Sequence, residues 1–329
     1  MTPSLRPQAA ADAAAPLPWW RNRRLIPWLA QGLVGLLVLV VVAFLVGNLV
    51  RNLTAAGLLL SWGWLDNPSG FDIAETLLPY NAGLPYWRAL LAGLVNTLRV
   101  VIAGLVGATV LGTLAGTAAF SSNGLLRRLA RIYVEVVRNI PLLLQLVFWY
   151  FVVFLQLPNG DAALQLPGLV LAKSGLYLGH TELENGVWQG SLRFTVEFGA
   201  LLTGLVVYTG AFIAEVVRGG VAAVPAGQWE AARSLGLSKV QTLRRIVLPQ
   251  ALRVIVPALN SQYISLAKNS SLAVACGYTD LYSVAETTLN QTGRAVEVVL
   301  ILLAAYLVID LLISALMNGL NSCVQLKER

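Results

Sequence analysis

The chain has 329 residues, of which 57% are hydrophobic and 12% charged, and a formal net charge of +7. Soluble domains carry about 25% charged residues, so a water-soluble globular fold is excluded; the apolar excess lies in blocks of about 18 residues or more, which read as membrane-crossing helices. Cys276 and Cys323 make neither a disulfide framework nor a metal spacing and read as small packing residues, and the positive charge is expected to orient loops and meet anionic lipid, not nucleic acid.

Residues 1–18 are rich in Ala and Pro with little to bury, so 1–24 is expected to be a disordered cytoplasmic tail. Trp19, Trp20, Arg21, Arg23 and Arg24 precede an apolar run at 25–50. That run is too long for a signal peptide and lacks a small-residue cleavage site, so it reads as an uncleaved first span. The paired Trp suits an interfacial belt and the arginines suit the cytoplasmic side. An external loop is expected at 51–90, with Trp62, Trp64, Tyr80, Tyr86 and Trp87 near the interface.

Further spans are expected at 91–119, 133–157, 195–217, 251–274 and 296–320. Each can cross a hydrocarbon layer of ~30 Å at ~1.5 Å per residue. The fold class is therefore an all-α integral membrane protein of about six transmembrane helices. In the second span Gly112 and Gly116 form a small-xxx-small step. Packing within one subunit is preferred for it over a seam between subunits. The short apolar stretch 164–179 contains Pro167 and Lys173. A single crossing there would invert every later loop, so 158–194 reads as a periplasmic insertion, re-entrant or lying at the interface, with a paired crossing by two short segments as the alternative. His180 with Glu182 and Glu184 makes a weak metal site at best, and a solvated loop is preferred.

Charge gives the orientation. With the N-terminus inside, 15 of the 23 lysines and arginines fall in the inner pieces 1–24, 120–132, 218–253 and 321–329. Five fall outside and three (Arg99, Arg138 and Lys268) within spans. This threefold bias places both termini and the segment 218–250 in the cytoplasm. Within that segment Pro225 can open a helix, Glu230-Ala231-Ala232-Arg233 continues it, and Gly236 suits a left-handed cap. Ser238 can cap a second helix, and Pro249 marks passage into the next span. A helix–turn–helix across the cytoplasmic surface follows.

That segment reads E-A-A, three residues, G, nine residues, I-x-L-P, from Glu230 to Pro249. It resembles the cytoplasmic coupling loop of permease subunits in binding-protein-dependent ABC importers. Asn96-Thr97-Leu98, Val137–Leu142, Ala214–Gly220 and Lys268–Leu272 look like the polar amino-acid subfamily, that of histidine, glutamine and general L-amino-acid permeases. The similarity runs over 91–320. The resemblance implies a five-helix permease core, to which the first span and the 158–194 insertion are additions. It also implies location in the bacterial inner membrane and a second permease, either a sister subunit or a self-copy. Two cytoplasmic ATPase subunits and a periplasmic amino-acid-binding protein complete the set. Glu230, Ala231, Ala232, Gly236, Leu237 and Pro249 are the expected ATPase-coupling residues, with Glu230 either fixing the loop or touching the ATPase. None of the four lysines sits in a phosphate-binding G-x-x-x-x-G-K-[ST] loop. ATP and Mg are accordingly expected on the partner, and no cofactor or metal on this chain. No nucleophile–base constellation marks an enzyme.

Ionisable residues inside spans cost about 2.5–3.5 kcal/mol each on insertion scales and need a reason. Glu135 with Arg138, and Glu215 with Arg218, stand at i,i+3 and are expected to pair. Asn260, Lys268, Asn269, Ser270 and Ser271 make the fifth span polar. They are expected either to line a translocation pathway or to form an inter-helix network. Asp310 is the one acid in mid-course of the last span and a conceivable counter-charge for Lys268. Three rivals stand beside amino-acid import by an ABC permease: an ABC permease for another small solute, an ion-coupled secondary transporter, and an integral-membrane enzyme, for which no catalytic cluster is found.

Overall fold

The computed structural model describes residues 25–55, 57, 60–184 and 187–325; the tail expected at 1–24 lies outside them. The chain divides at Ser61 into two units. The first holds helix α1 (Leu25–Ala55). Its apolar side chains are exposed on all sides, as expected of a helix made to be surrounded by lipid.

The second unit starts with a loop that ends in an N-capping Pro85 and leads into α2 (Tyr86–Ala118). After a tight turn come α3 (Gly124–Arg138) and α4 (Leu142–Phe148), which continues as one π-helical stretch, Trp149–Phe154. Next are four strands and α5 (Val196–Ala222), α6 (Ala226–Ser234), α7 (Lys239–Thr242) and α8 (Leu248–Asn269). α9 (Leu281–Thr292) and α10 (Ala295–Val324) close the bundle. Its main core joins α2, α5, α8 and α10 through Ala108, Ile213, Val217, Ala251, Ile255 and Ile313.

Glycines set the α2–α5 contact. A Cβ on Gly112 would lie 2.6 Å from Ile213 Cβ, and one on Gly116 would lie 2.7 Å from the Ala214 carbonyl. The small-xxx-small step is therefore spent on close packing within the chain. Gly104 faces Leu266 of α8 in the same manner.

Two expectations need correction. The third span is not one helix: α3 and the α4 stretch meet at 105°. Pro141 cannot continue a helix and disfavours helical geometry at the residue before it. The Gln145 side-chain amide donates to the Val137 and Ile140 carbonyls at 2.9 Å each, satisfying groups freed at the break. The fifth span ends early, because α8 stops at Asn269 and a 3₁₀ turn, Ser270–Cys276, carries the chain to Gly277 at φ +75°. Among the described residues four helices (α1, α2, α5 and α10) are long and apolar enough to cross a membrane, or five with the bent pair. At 22 residues α8 is long enough, but its polar side chains keep it out of that set.

The insertion at 158–194 has a form that the expectation left unspecified. It folds as an antiparallel meander, β1 (Leu164–Leu166), β2 (Leu169–Ala172), β3 (Gly175–Glu184) and β4 (Val187–Phe194), in that order. Leu-x-Leu at 164–166, 169–171 and 176–178 is a period of two, which is a strand signal. A register shift interrupts the β3–β4 pairing between Leu178 and Thr181.

Candidate functional site

The loop after α5 is built from local chemistry. Pro225 caps α6, and the Gln228 N–H donates to its carbonyl at 3.0 Å. At the other end the Gly236 N–H donates to Arg233 O at 2.9 Å and the Leu237 N–H to Ala232 O at 3.1 Å. Gly236 has φ +74°. This paired closure with a left-handed glycine satisfies the last carbonyls of the helix. Two residues later Ser238 opens α7 with a reciprocal cap: the Gln241 N–H donates to Ser238 Oγ at 3.3 Å, and the Ser238 N–H donates to Gln241 Oε1 at 2.9 Å. A π-helical stretch, Leu243–Val247, then carries Pro249 into the start of α8.

The loop is also tied to the bundle. Ala232, Thr242 and Val247 are buried, and Trp229 and Leu243 pack against the main core. Gln250 Nε2 donates to Gln228 Oε1 at 3.2 Å, joining α6 to α8. A cleft of about 420 Å³ separates the loop from the end of α2, with Phe120, Trp229, Leu237 and Val240 among its walls. The outer rim carries Glu230 and Ala231, both exposed, and two apolar side chains, Leu235 at 79% and Val240 at 74% exposure. Sequence reading missed Leu235 and Val240; the signal was apolar residues in a segment otherwise basic and polar. Among the described residues no donor meets the Glu230 carboxylate, while its main-chain carbonyl accepts from Ser234 Oγ at 3.1 Å.

The charges expected within spans have varied fates. Glu215 and Arg218 close a two-pronged pair, Nε–Oε2 2.9 Å and Nη2–Oε1 2.6 Å. Glu135 and Arg138 do not pair, which corrects the expectation. The Arg138 guanidinium lies 5.0 Å from the centre of the Phe212 ring on α5, a cation–π contact that draws it off its own helix. Both residues line a cleft of about 670 Å³ between α2, α3 and α5, together with Arg131, Glu215 and Arg218. Arg99 of α2 forms an ion pair with Glu75 at 2.5 Å and sits over the rings of Phe198 and Phe194 at 4.3 and 4.6 Å. Glu75 also accepts from the Thr195 N–H at 2.8 Å, so one carboxylate ties the 62–85 loop to both α2 and the start of α5.

Lys268 Nζ lies 3.5 Å from Asp310 Oδ2, joining α8 to α10. The Lys268 side chain is 61% exposed and that of Asp310 17%. Ser265 and Ser261 are exposed at one and two turns before Lys268 on the same stripe of α8. Asn260, Asn269 and Ser271 are half-buried, and Asn260 Oδ1 is buried without a partner among the described residues. Ser270 departs from the expected open face. It is 1% exposed and its hydroxyl donates to Ala267 O at 2.7 Å, closing the end of α8. Serine at a helix end readily bonds back to a preceding carbonyl. His180 and Glu182 form an exposed pair at 2.9 Å, and no group of three metal-ligating side chains occurs among the described residues.

Residues 108–324 match the family of binding-protein-dependent transport system inner membrane components. The chain belongs to that family. It is 39% identical to the putative amino-acid ABC transporter permease protein YhdX of Escherichia coli strain K12, over 92% of this chain and 95% of that one. It is 36% identical to the general L-amino acid transport system permease protein AapQ of Rhizobium johnstonii, over 86% of this chain and 87% of that one. Among solved structures, an amino acid ABC transporter crystallised with histidines matches with a TM-score of 0.56 and 27% identity, over 72% of this chain and 94% of that chain. The inward-facing MetNI methionine ABC transporter shares the fold at a TM-score of 0.54 and 21% identity, over 73% of this chain. The family match spans α6, α7, α8 and α10 whole, so the exposed loop and the Lys268–Asp310 pair both lie in the part of the permease that defines the family.

Proposed function

We propose that this chain is the non-catalytic permease subunit of an ATP-driven importer of amino acids, and that residues 225–249 dock it to a separate ATPase. The observation that carries this reading is the α6–turn–α7 element. It is capped at both ends, anchored to the core through Trp229 and Ala232, and presents exposed Glu230, Leu235 and Val240 outward. A rigid amphipathic projection of this kind suits a groove on a partner. With its carboxylate meeting no donor among the described residues, Glu230 is assigned to the partner contact, not to fixing the loop. ATP and Mg belong to that partner. A second permease, alike or sister, completes the pathway, and a binding protein delivers substrate on the opposite face. The substrate class rests on the amino-acid permeases named above. Both termini lie on the ATPase side, as the distribution of Lys and Arg supports.

The exposed stripe of α8 ending in Lys268, with Asp310 behind it, is assigned to the translocation path. A zwitterionic amino acid needs donors and acceptors along its route, and this stripe supplies both. The test is uptake of labelled amino acids into proteoliposomes holding the complete complex. The reading expects transport that requires enclosed ATP and survives collapse of ion gradients. Transport that persists without ATP and stops with the gradient would overturn it in favour of an ion-coupled carrier.

A further inference from the structure

The meander at 164–194 has a face made of leucine. Antiparallel partners point to the same side of a sheet. The register pairs Leu166 with Leu169, Leu169 with Leu178, and Leu178 with Leu192. A second row pairs Leu164 with Leu171, Leu171 with Leu176, and Leu176 with Phe194. Two rows of four apolar side chains therefore share one face, with no side-chain nitrogen or oxygen among them. Leu164, Leu166, Leu178 and Leu192 on this face are exposed.

The chain covers the other face itself. There Tyr177, Val170 and Ala172 make a small core with Ala163 and Trp188. Trp188, beyond the register shift at Leu178/Thr181, donates its Nε1–H to Gly160 O at 2.9 Å. On the leucine face the chain covers only the end beside α5, where Phe194 stacks on Phe198 at 5.1 Å and lies under Arg99; Leu164, Leu166, Leu178 and Leu192 stay open.

We propose that the leucine face is a lipid contact: the meander rests with these side chains in the acyl region of the leaflet beside the ends of α4 and α5. Three observations identify lipid as the occupant. The face is continuous with the membrane-facing surface, because Leu176 and Phe154 converge on Gly199 of α5, and Phe151 and Val152 next to Phe154 are exposed. Polarity rises along the hairpin away from the bundle, from the leucine rows to exposed His180, Glu182, Glu184 and Gln189. The composition is aliphatic, whereas protein interfaces favour Tyr, Trp and Arg and carry about one hydrogen bond per 100–200 Å². An exposed apolar patch of this kind marks a contact with a protein or a membrane, and the three observations above choose the membrane. The inference rests on α4 and α5 lying in the membrane, and not on the identity of the transported solute.

The test places a nitroxide at Leu192→Cys, and separately at Glu182→Cys, in a Cys323→Ser background of the complete transporter in liposomes. Cys276 is buried and stays unlabelled. Collision with oxygen, which concentrates in lipid, is compared with collision with a water-soluble nickel chelate. The proposal expects oxygen collisions several-fold in excess at 192 and the nickel chelate in excess at 182. Nickel access at 192 equal to that at 182 would put the face in water and overturn it. Exclusion of both reagents at 192 would mean a protein occupant and overturn it equally. A label at Leu166→Cys in the neighbouring row gives an independent reading, expected to match that at 192, should the 192 label disturb the sheet.

Discussion

Lys268 and Asp310 meet at 3.5 Å between α8 and α10 although 42 positions separate them in the sequence. Asp310 is the more enclosed of the two, and its Oδ1 is already buried without a partner among the described residues. Removing the lysine alone therefore leaves an uncompensated carboxylate, which costs more than removing both charges. Lys268→Ala is expected to lower the Tm of the purified complex, and Lys268→Ala with Asp310→Ala is expected to recover part of the loss. Equal melting of the single and double variants would mean the pair has no structural coupling. Amino-acid uptake, by contrast, is expected to fall in both variants, because the exposed ammonium is assigned to the path. The Lys268–Asp310 contact was readable from the sequence as an unmatched charge in each of two spans. Pairing the two as counter-charges was a guess that no spacing rule supports, since such rules do not link residues on different helices; the structure brings them to 3.5 Å. Arg138 shows the opposite case. An i,i+3 rule pointed to Glu135, but the Phe212 ring from α5 lay within reach and the guanidinium went there.

At the scale of elements, local signals were the legible ones. Pro225, Gly236 and Ser238 act within a few residues of themselves, so cap, turn and second cap form where the sequence puts them. Ser238→Ala removes one arm of the reciprocal cap, at a cost of about 0.5–2 kcal/mol to that turn. Faster proteolytic nicking between 234 and 243, with the bundle intact, is the expected result; an unchanged rate would show that tertiary anchoring alone holds the turn. The break after α3 was equally marked, by Pro141, yet the apolar run across it reads as one span because hydropathy is blind to direction. The meander was missed for a related reason. Its Leu-x-Leu alternation sits in a stretch apolar enough to pass for a membrane segment, and the period of two decides only once it is counted. Packing between elements follows small residues. Gly112→Val would drive a branched side chain into Ile213 and the Gly210 carbonyl, whereas no neighbouring atom lies within 4 Å of a Cβ at Gly219. Overpacking of this kind costs about 1–3 kcal/mol. A lower Tm for Gly112→Val than for Gly219→Val is expected, and equal values would contradict the close α2–α5 contact.

For the whole molecule, charge and hydropathy specify a polytopic membrane protein with its basic loops on one side. The family match at 108–324 agrees with that architecture. The native thiols give a direct check of orientation, since Cys323 near the C-terminus is exposed and Cys276 is buried. A membrane-impermeant thiol reagent is expected to label inside-out vesicles and to spare right-side-out ones; the reverse pattern would invert every loop assigned here. The proposed orientation puts the capped helix–turn–helix on the face where ATP is available. The central claim, that this element is where the permease engages its ATPase, is tested most directly at Gly236. Proline cannot take φ +74° and has no N–H to give to Arg233 O. The measurement is ATPase co-purification together with ATP-driven amino-acid uptake for Gly236→Pro beside wild type, with membrane insertion matched. The account predicts normal insertion with loss of the ATPase or of coupled uptake; wild-type ATPase binding and transport would reduce the loop to a spacer and contradict it.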